Sequence, residues 1–421
     1  MTKTKLSTDS YKGVRDFYPQ DMAVQNYIFE TWTKTARSFG FEHYDASVLE
    51  PAELYKAKGA ENAEMVNEQT YTFLDRGDRE VTLRPEMTPT VARMVAGKRR
   101  ELHFPLRWFS IPNLFRYERP QRGRLREHWQ LNCDIFGADD YTADVEVIAL
   151  AYQLLIDFGA TPDMFEILVN NRQEMTELYN QMGISDTETI NKLTQLNDRK
   201  NKISAEQYTE ALLEILSNPD LVQQVTALIE NPDGENEVTR GLAALGITNV
   251  RIDRSIARGF NYYTGTIFEI VDRHEENNRS MLGGGRYDNL TQMFSDEPIS
   301  GIGFGMGDVT MKDFLISHNL LPETVKITAA KILIIPTETD YNLEAQKLAQ
   351  QIRARGLTVA TASGTKKLGK KIADAAHDGV TYIIVIGPDE IAQDKFTLKN
   401  LPQNTEETGT LEELLTLILS H

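Results

Sequence analysis

The chain has 421 residues, of which 41% are hydrophobic and 25% are charged. This is the composition of an ordinary soluble globular protein, and the length exceeds what one compact core serves, so we expect two or three domains. The 45 basic and 62 acidic side chains give a net charge of −17, which argues against a protein that coats nucleic acid or is drawn to an acidic membrane, although it leaves room for a local basic patch.

The cysteine count and the apolar pattern narrow the class further. The single cysteine, Cys133, excludes an intrachain disulfide and fits a reducing compartment. No apolar run approaches the roughly 20 residues of a membrane-spanning helix. Residues 1–17 contain no apolar segment of the kind that a secretory signal needs. The seven histidines form no ligand-like spacing with Cys133, so we expect a cytoplasmic protein without a zinc site.

The first 160 residues predict a mixture of helices and strands. In chain order, the pattern predicts a helix over 21–41 that ends near Gly40, a hairpin over 71–83, a helix over 88–100, two strands over 106–137 joined by a Pro/Gly/Arg loop, and a long helix over 141–159. Asp75–Asp78 carries turn chemistry between the two strands of the hairpin. Pro89 suits the first turn of its helix.

The rest of the chain divides into regions of different texture. Residues 170–245 are polar and helix-favouring, which predicts a helical insertion between two β-rich halves of one domain. Strand-like sequence returns at 262–272. After Pro322 the pattern becomes β-α-β-α-β, with an apolar helical stripe at positions 341, 345, 348, 349 and 352 and Gly356 where a C-cap belongs. We therefore expect one domain over 1–325 and a second, α/β domain over 326–421.

The stretch "ISGIGFGMGDVTM", residues 299–311, has a glycine at every second position from Gly301 to Gly307. A phosphate-binding loop instead needs a glycine turn that opens a helix, typically with a lysine. On a strand this spacing puts all four glycines on one face, with Ile302, Phe304 and Met306 directed into a core. The bare face either lies under a ligand or lets a covering helix approach closely. The nearby "LGGGRYDNL" at 282–290, with Arg286 and Asp288, favours a shared cleft.

An arginine-rich loop offers a second candidate site. Five arginines fall within residues 116–126. Strand alternation predicts that Arg116 and Glu118 share a face, as do Gln130 and Asp134 further along. An arginine fork suits phosphate oxygens, and a carboxylate beside it accepts from an amine. The competing interpretation is a solvated basic hairpin tip, which suits the "RPQRGR" tip better than either pair.

Taken together, these stretches resemble the histidyl-tRNA synthetases over nearly the whole chain. The matching segments are "GVRDFYP" at 13–19, "TYTFLDR" at 70–76, "LRPEMTPTVAR" at 83–93, "FRYERPQRGRLRE" at 115–127, "ARGFNYYTGTIFE" at 257–269 and "GGGRYDNL" at 283–290. "RGFNYYTG" is similar to a signature of that family alone. The resemblance implies an α+β protein, with a class II antiparallel catalytic domain that carries a helical insertion and a C-terminal α/β anticodon-binding domain.

The resemblance also implies roles for individual residues. The histidine substrate would be held by Glu86, Thr88, Gln130, Asp134, Tyr262 and Tyr263, with Asp134 and Tyr263 facing the imidazole. ATP would be bound by Arg116, Glu118, Arg124, His128, Gly303 and Gly305. Arg116 and Arg258 would be the catalytic cations at the α-phosphate. The family further implies Mg²⁺ with ATP, histidine tRNA as partner, and a homodimer. Lys366, Lys367, Lys370, Lys371, Arg353 and Arg355 are candidates for a basic face on the C-terminal domain, against the alternative of a solvated helix surface.

The chain departs from the family pattern at several positions. Motif 3 normally ends in Gly-Leu-Glu-Arg, whose arginine contacts the ATP γ-phosphate, and here Thr310 takes that place. We expect weaker ATP binding unless Arg122, Arg124 or Arg286 compensates. The motif 1 proline, at the dimer interface, is replaced by Ser47. The phenylalanine that stacks on adenine is replaced by His128, and a common aspartate by Asn261.

Two alternatives to an active histidyl enzyme remain open at this point. One is a non-catalytic paralogue that binds histidine, such as the regulatory subunit of ATP phosphoribosyltransferase. That paralogue generally lacks the C-terminal domain and the intact tyrosine signature, both of which this chain carries. The other is a class II synthetase for threonine or proline, neither of which carries the stretch from Arg258 to Tyr263.

Overall fold

The computed structural model describes residues 6–57, 69–200, 203–231, 234–257, 262–277, 280–322, 330–364 and 366–419. The chain divides into two compact units, one of Met1–Asp16 with Tyr27–Leu321 and one of Phe17–Asn26 with Pro322–His421. The domain boundary that we predict between 325 and 326 lies outside the described residues. None of the described helices has the length and apolar character needed to cross a membrane.

The first unit is built on a large sheet with helices around it. Its strands are β1 (Glu42–His43), β2 (Leu49–Pro51), β3 (Tyr71–Leu74), β4 (Glu80–Leu83), β5 (Leu106–Ser110), β6 (Asn113–Phe115), β7 (Glu127–Phe136), β8 (Phe165–Asn171), β9 (Val250–Ile252), β10 (Thr266–Asp272), β11 (Ser280–Arg286) and β12 (Gly301–Gly307). Its helices are α1 (Pro19–Ser38, whose first part belongs to the other unit), α2 (Glu53–Lys56), α3 (Thr88–Lys98), α4 (Tyr141–Asp157), α5 (Arg172–Gln181), α6 (Thr187–Asp198), α7 (Ala205–Leu216), α8 (Pro219–Glu230), α9 (Glu237–Ala244) and α10 (Asp308–Ser317).

The described strands of the large sheet run in the order β1-β5-β7-β12-β11-β10-β8-β9, with β6 also paired to β7. The pairs are antiparallel except β1–β5 and β8–β9. β2, β4 and β3 form a separate small sheet, whose β3–β4 pair is the hairpin that the sequence predicts. The mixture of helices with a mainly antiparallel sheet confirms the predicted α+β class.

β12 packs its two faces in different ways because its glycines alternate with large apolar residues. Ile302, Phe304 and Met306 are at most 3% exposed, as predicted, and helices α4 and α10 pack against this strand. On the other face, a Cβ at Gly303 would lie 2.6 Å from the carbonyl oxygen of Cys133, and one at Gly305 would lie 2.7 Å from Cδ of Gln130. The glycines are therefore required by the close approach of β7, not by a covering helix.

The prediction of two strands over 106–137 is wrong in two details. The first strand divides into β5 and β6 around Pro112, which has no N–H to donate to the ladder, although the pairing with β7 resumes in the same register. β6 ends at Phe115, and only Arg116 adds a further rung by donating its N–H to the Arg126 carbonyl at 2.9 Å. The Glu118 N–H then donates to the Arg116 carbonyl at 2.8 Å, and this bond closes a three-residue turn. Arg116 and Glu118 therefore do not share a strand face.

The predicted insertion region contains five described helices, α5 to α9, and a hydrophobic core of its own. That core is made by residues such as Leu193, Leu212 and Val225, none of which is exposed to solvent. Asn197 lies inside it, where its amide donates to the Tyr179 hydroxyl at 3.0 Å and accepts from the Tyr208 hydroxyl at 2.7 Å. Paired in this way, the buried amide fixes how α5, α6 and α7 meet.

The second unit is an α/β domain. Its described elements are β13 (Ile332–Pro336), α11 (Asn342–Arg353), β14 (Val359–Thr361), α12 (Leu368–His377), β15 (Tyr382–Ile386), α13 (Pro388–Gln393), β16 (Phe396–Asn400), β17 (Thr405–Gly409) and α14 (Leu411–Leu419). The predicted β-α-β-α-β order is confirmed, and the β16–β17 hairpin with α13 and α14 extends it. Of the predicted helical stripe, Ala345, Leu348, Ala349 and Ile352 are buried, whereas Tyr341 precedes the helix.

A side chain at Gly303 is expected to destabilise the sheet. We expect Gly303→Ala to lower the free energy of unfolding by about 1–3 kcal/mol, because its methyl group would overlap β7. Gly97→Ala is the matched control, since that glycine lies in α3 with open space around it and its replacement removes a helix penalty of roughly 0.5–1 kcal/mol. Urea-induced unfolding measures both variants. Equal changes in the free energy of unfolding in the two variants would contradict the close approach of β7 to Gly303.

Candidate active site

The glycine face of β12 is covered by side chains that come from two other segments. Tyr287 covers Gly301, Asp134 covers Gly303 and Gln130 covers Gly305. Gln130 and Asp134 therefore do share a face of β7, as their spacing predicts. Asn132 lies between them, is 3% exposed and accepts a hydrogen bond from the Gln130 amide at 3.1 Å. Sequence reasoning overlooked this asparagine, although the same alternation contained it.

Asp134 is a buried carboxylate with only half of its hydrogen-bonding capacity used. It is 2% exposed, and its Oδ1 accepts a hydrogen bond from the Tyr287 hydroxyl. Its Oδ2 is also buried and has no hydrogen-bond partner in the described part of the chain. Burial raises the pKa of Asp134 to about 7, and the bond from Tyr287 opposes this rise. The unpaired oxygen is an acceptor that a ligand N–H can satisfy.

Tyr287 was not among the predicted site residues, although its neighbours Arg286 and Asp288 were singled out. Its ring lies edge-on to that of Tyr262, with centroids 5.8 Å apart. The pKa of its hydroxyl is raised well above the usual value, first by burial and then by the Asp134 charge, so it stays protonated and donates. A signal was present in the sequence, since a tyrosine between two charged residues at the end of a glycine strand is an unusual core residue.

The predicted residues Glu86, Tyr262 and Tyr263 lie beside these side chains, since the Tyr262 ring contacts that of Tyr287. The Tyr262 hydroxyl donates to Glu86 Oε2 at 3.3 Å, and the two tyrosine rings have centroids 4.8 Å apart. Burial, followed by the nearby Tyr263 and Glu86, raises the pKa of Tyr262 well above 10. Glu86 is itself only 3% exposed, just before Thr88 begins α3. Through Tyr287 these three residues are connected to Asp134, which shares a face of β7 with Gln130. Five of the six residues predicted to hold histidine thus lie in one group, and the sixth, Thr88, begins α3.

Arg116, from the arginine-rich loop, lies beside the segment that carries Glu86. Its Nε donates to the carbonyl of Pro85, the residue before Glu86, at 2.9 Å. His128 faces Leu114 across the β6–β7 pair. Burial, and then the charges of Arg116 and Arg15, lower the pKa of His128 to about 3. The His128 ring is therefore neutral at pH 7, which suits stacking against a flat ligand.

The remaining loop residues divide into an anchor and an exposed pair. Arg126 is the anchor, because its guanidinium lies 4.0 Å from the centre of the Tyr117 ring and its Nε donates to the Glu118 carbonyl at 3.1 Å. Arg124 pairs with Glu118 at 3.2 Å and leaves 56% of its side chain exposed. The tip thus combines a structural arginine with one whose side chain faces solvent.

Two family models match the chain: Histidyl-tRNA synthetase over residues 13–308 and Anticodon binding domain over residues 331–421. The chain belongs to the histidyl-tRNA synthetase family. It is 41% identical to a curated histidine–tRNA ligase of Leptospira biflexa over 434 residues, which cover 99% of this chain and 98% of that protein.

Solved structures agree in fold with this family assignment. The histidyl-tRNA synthetase from Nostoc sp. PCC 7120 has a TM-score of 0.79 at 24% identity, covering 99% of this chain and 100% of that one. An ATP phosphoribosyltransferase regulatory subunit/histidyl-tRNA synthetase from Bacillus halodurans C has a TM-score of 0.66 at 21% identity, covering 91% and 100%. At these identities the two likenesses concern the fold alone.

Thr310 stands where the resemblance implies an arginine, and its side chain forms hydrogen bonds with the backbone. The Thr310 hydroxyl is within hydrogen-bond distance of the Met281 carbonyl at 3.0 Å and the Gly307 carbonyl at 3.1 Å. Arg286, which we considered as a replacement, is buried, with its Nε on Asp144 at 2.9 Å and its Nη1 on the Ala138 carbonyl at 2.8 Å. Because these partners hold its guanidinium inside the fold, that expectation is wrong for Arg286.

A cation near Thr310 comes from the 13–19 segment that carries part of the resemblance, although sequence reasoning gave Arg15 itself no role. Arg15 pairs with Asp308 at 2.7 Å, and the Asp308 carboxylate also accepts the Trp129 N–H at 3.0 Å. Asp308 is fully buried at the start of α10, directly after β12. Arg258 and Asn261 lie outside the described residues.

The pKa of Asp134 predicts a conflict between stability and function. The folded protein holds the Asp134 proton between pH 4 and 7, where the unfolded chain has lost it, so stability falls as the pH rises through this window. We expect Asp134→Asn to be more stable than the wild type at pH 8 by up to about 4 kcal/mol, at 1.36 kcal/mol per pKa unit. Urea unfolding at several pH values tests this. The prediction is contradicted if the difference in free energy of unfolding between Asp134→Asn and the wild type does not shrink toward pH 4.

Proposed function

We infer that this chain is a histidine–tRNA ligase, which activates L-histidine with ATP and transfers the histidyl group to the 3′ end of histidine tRNA. Family membership at 41% identity over nearly the full length supports this function. The observation that carries the choice of amino acid is the buried Asp134 carboxylate, whose Oδ2 has no partner among the described residues. A neutral imidazole has one N–H to donate there and one nitrogen that accepts.

In the histidine pocket, Asp134 accepts the imidazole N–H and the Tyr263 hydroxyl donates to the other nitrogen. Glu86 and Thr88 hold the α-amino group, while Gln130 and Tyr262 line the wall. Selectivity follows because an amino acid without the imidazole leaves Asp134 Oδ2 buried and unpaired, which costs free energy that binding does not recover.

In the ATP site, Gly303 and Gly305 form the floor, Glu118 accepts from the adenine amine, and His128 stacks on the ring. The carboxylate of histidine attacks the α-phosphorus, and pyrophosphate leaves with the electrons of the broken P–O bond. Arg116 and Arg258 hold the α-phosphate oxygens on which negative charge develops. Mg²⁺ enters as the substrate complex with ATP and neutralises the leaving phosphates.

The second unit binds tRNA in this proposal, with residues 326–421 as its domain. Its basic candidates differ in how much charge they can offer. Lys366 and Lys370 both pair with Asp374, at 2.8 and 3.1 Å, and Arg355 pairs with Glu412. Lys367 and Lys371 are the lysines that we expect to contact tRNA phosphates. A cytoplasmic homodimer completes the proposal, supported by the family resemblance.

The first test is histidine-dependent exchange of pyrophosphate into ATP. We expect exchange with histidine and none with threonine, proline or no amino acid. Asp134→Asn should reduce kcat/KM for histidine at least about 100-fold, because an amide nitrogen or a weaker acceptor then faces the imidazole. Histidine binding without exchange in the wild type would reject the ligase and favour the regulatory paralogue.

The exposed loop arginine provides a separate test of ATP binding. Arg124→Ala should raise KM for ATP about tenfold, the equivalent of about 1.4 kcal/mol, and leave KM for histidine unchanged. Arg119→Ala removes an exposed arginine of the same loop and serves as the control. A rise in KM for ATP of the same size in both variants would show that Arg124 has no specific role.

A further inference from the structure

We propose that Arg172 is a positioning residue that holds Ala257 and Tyr263, which lie on either side of residues 258–261 in the chain, against the catalytic sheet. This inference rests on the proposed function, since it concerns the tyrosines of the histidine pocket. Arg172 Nη2 donates to the Ala257 carbonyl at 3.0 Å, and its Nη1 donates to the Tyr263 carbonyl at 3.2 Å. One guanidinium thus bonds to the chain on both sides of residues 258–261, which are not described.

Two further groups of the same short stretch reinforce this contact. The Asn170 amide donates to the Ile256 carbonyl at 2.9 Å and approaches the Arg254 carbonyl at 3.4 Å. The backbone N–H of Arg172 donates to the Gly265 carbonyl at 3.0 Å. Residues 170–172 therefore bind the chain on both sides of residues 258–261.

Arg172 is itself held where a strand becomes a helix. Asn171 is the last residue of β8, where it pairs with Thr266 of β10, and its side chain caps α5 by accepting from the N–H groups of Gln173 and Glu174. Arg172 is the first residue of that helix. Because the strand register and the helix cap both fix its backbone, its guanidinium has a defined origin from which to bond the two carbonyls.

The chemistry requires arginine at this position. A guanidinium directs N–H groups along a planar fork and bonds two carbonyls that lie apart, whereas a lysine ammonium is a single point of donation on a flexible stem. The cavity beside Arg172 has a volume of about 80 Å³ and is also lined by Asn170, Arg254 and Ala257. A shorter or apolar side chain therefore fits at position 172 without overlap. The main effect of losing the guanidinium is that the two carbonyls lose their donor.

The bonded segment leads directly to the substrate groups. Tyr263 gives its carbonyl to Arg172, and the neighbouring Tyr262 gives its hydroxyl to Glu86 at 3.3 Å. Arg258, which the proposed mechanism places at the α-phosphate, belongs to the same segment in sequence. Release of the carbonyls therefore misplaces reacting groups, and a displacement of about 1 Å is enough to reduce a rate 100-fold.

The test compares Arg172→Met, Arg172→Lys and a surface control, Arg273→Met, in histidine-dependent pyrophosphate exchange. Arg273 pairs with Glu166 at 2.9 Å, and 46% of its side chain is exposed. We expect kcat to fall at least tenfold in Arg172→Met and less in Arg172→Lys, which can still reach one carbonyl. KM for ATP and the thermal midpoint should stay near those of the wild type. Activity of Arg172→Met within twofold of the wild type, or a loss that only tracks a lowered midpoint, would overturn the proposal.

Hydrogen–deuterium exchange of the full chain gives a second readout that needs no activity. We expect faster exchange of the peptide over 262–268 in Arg172→Met, since the Thr264 N–H bond to the Arg286 carbonyl would open more often, and no change in Arg273→Met. Unchanged exchange in Arg172→Met would reject the positioning role. A wild type without histidine-dependent activity would instead reject the ligase, and the exchange result would still decide the role of Arg172.

Discussion

The site depends on one steric constraint, the close approach of β7 side chains to the backbone of β12. Asp134 and Gln130 lie where the Cβ atoms of Gly303 and Gly305 would otherwise be. Because the opposite face of β12 carries Ile302, Phe304 and Met306, the strand is held firmly by its core side while its bare side receives polar groups. The positions of these polar groups are therefore set by a strand that the core holds in place.

The second constraint is electrostatic. The sheet buries the Asp134 carboxylate with one oxygen on the Tyr287 hydroxyl and the other unpaired, and its raised pKa is the measure of what that burial costs. Such a group is difficult to explain as a contribution to stability, since a neutral amide fits the same space. It is readily explained as a preorganised acceptor, for which the ligand supplies the missing donor.

Asp308 and Thr310 lie where the resemblance places the end of motif 3, and both make contacts within the fold. Thr310 binds backbone carbonyls, and the first residue of α10, Asp308, is instead a buried acid that takes Arg15 and the Trp129 N–H. This arrangement ties the segment around Arg15 to the end of β12. A guanidinium is thus held near Thr310 through a tertiary contact, and its charge is paired with that of Asp308.

The sequence by itself determined the class of the fold and most element positions, because these follow from local periodicity, turn chemistry and family motifs. Hairpin 71–83, helix 88–98 and the alternation of β12 are local facts of this kind. Only the tertiary structure decided that Arg286 is structural, that the Tyr287 hydroxyl donates to Asp134, and that Arg172 bonds to the carbonyls of both Ala257 and Tyr263. These roles depend on which distant segments meet, and the physical reason they escape prediction is that a side chain's charge or hydroxyl does not reveal its partner until the sheet register brings the two together.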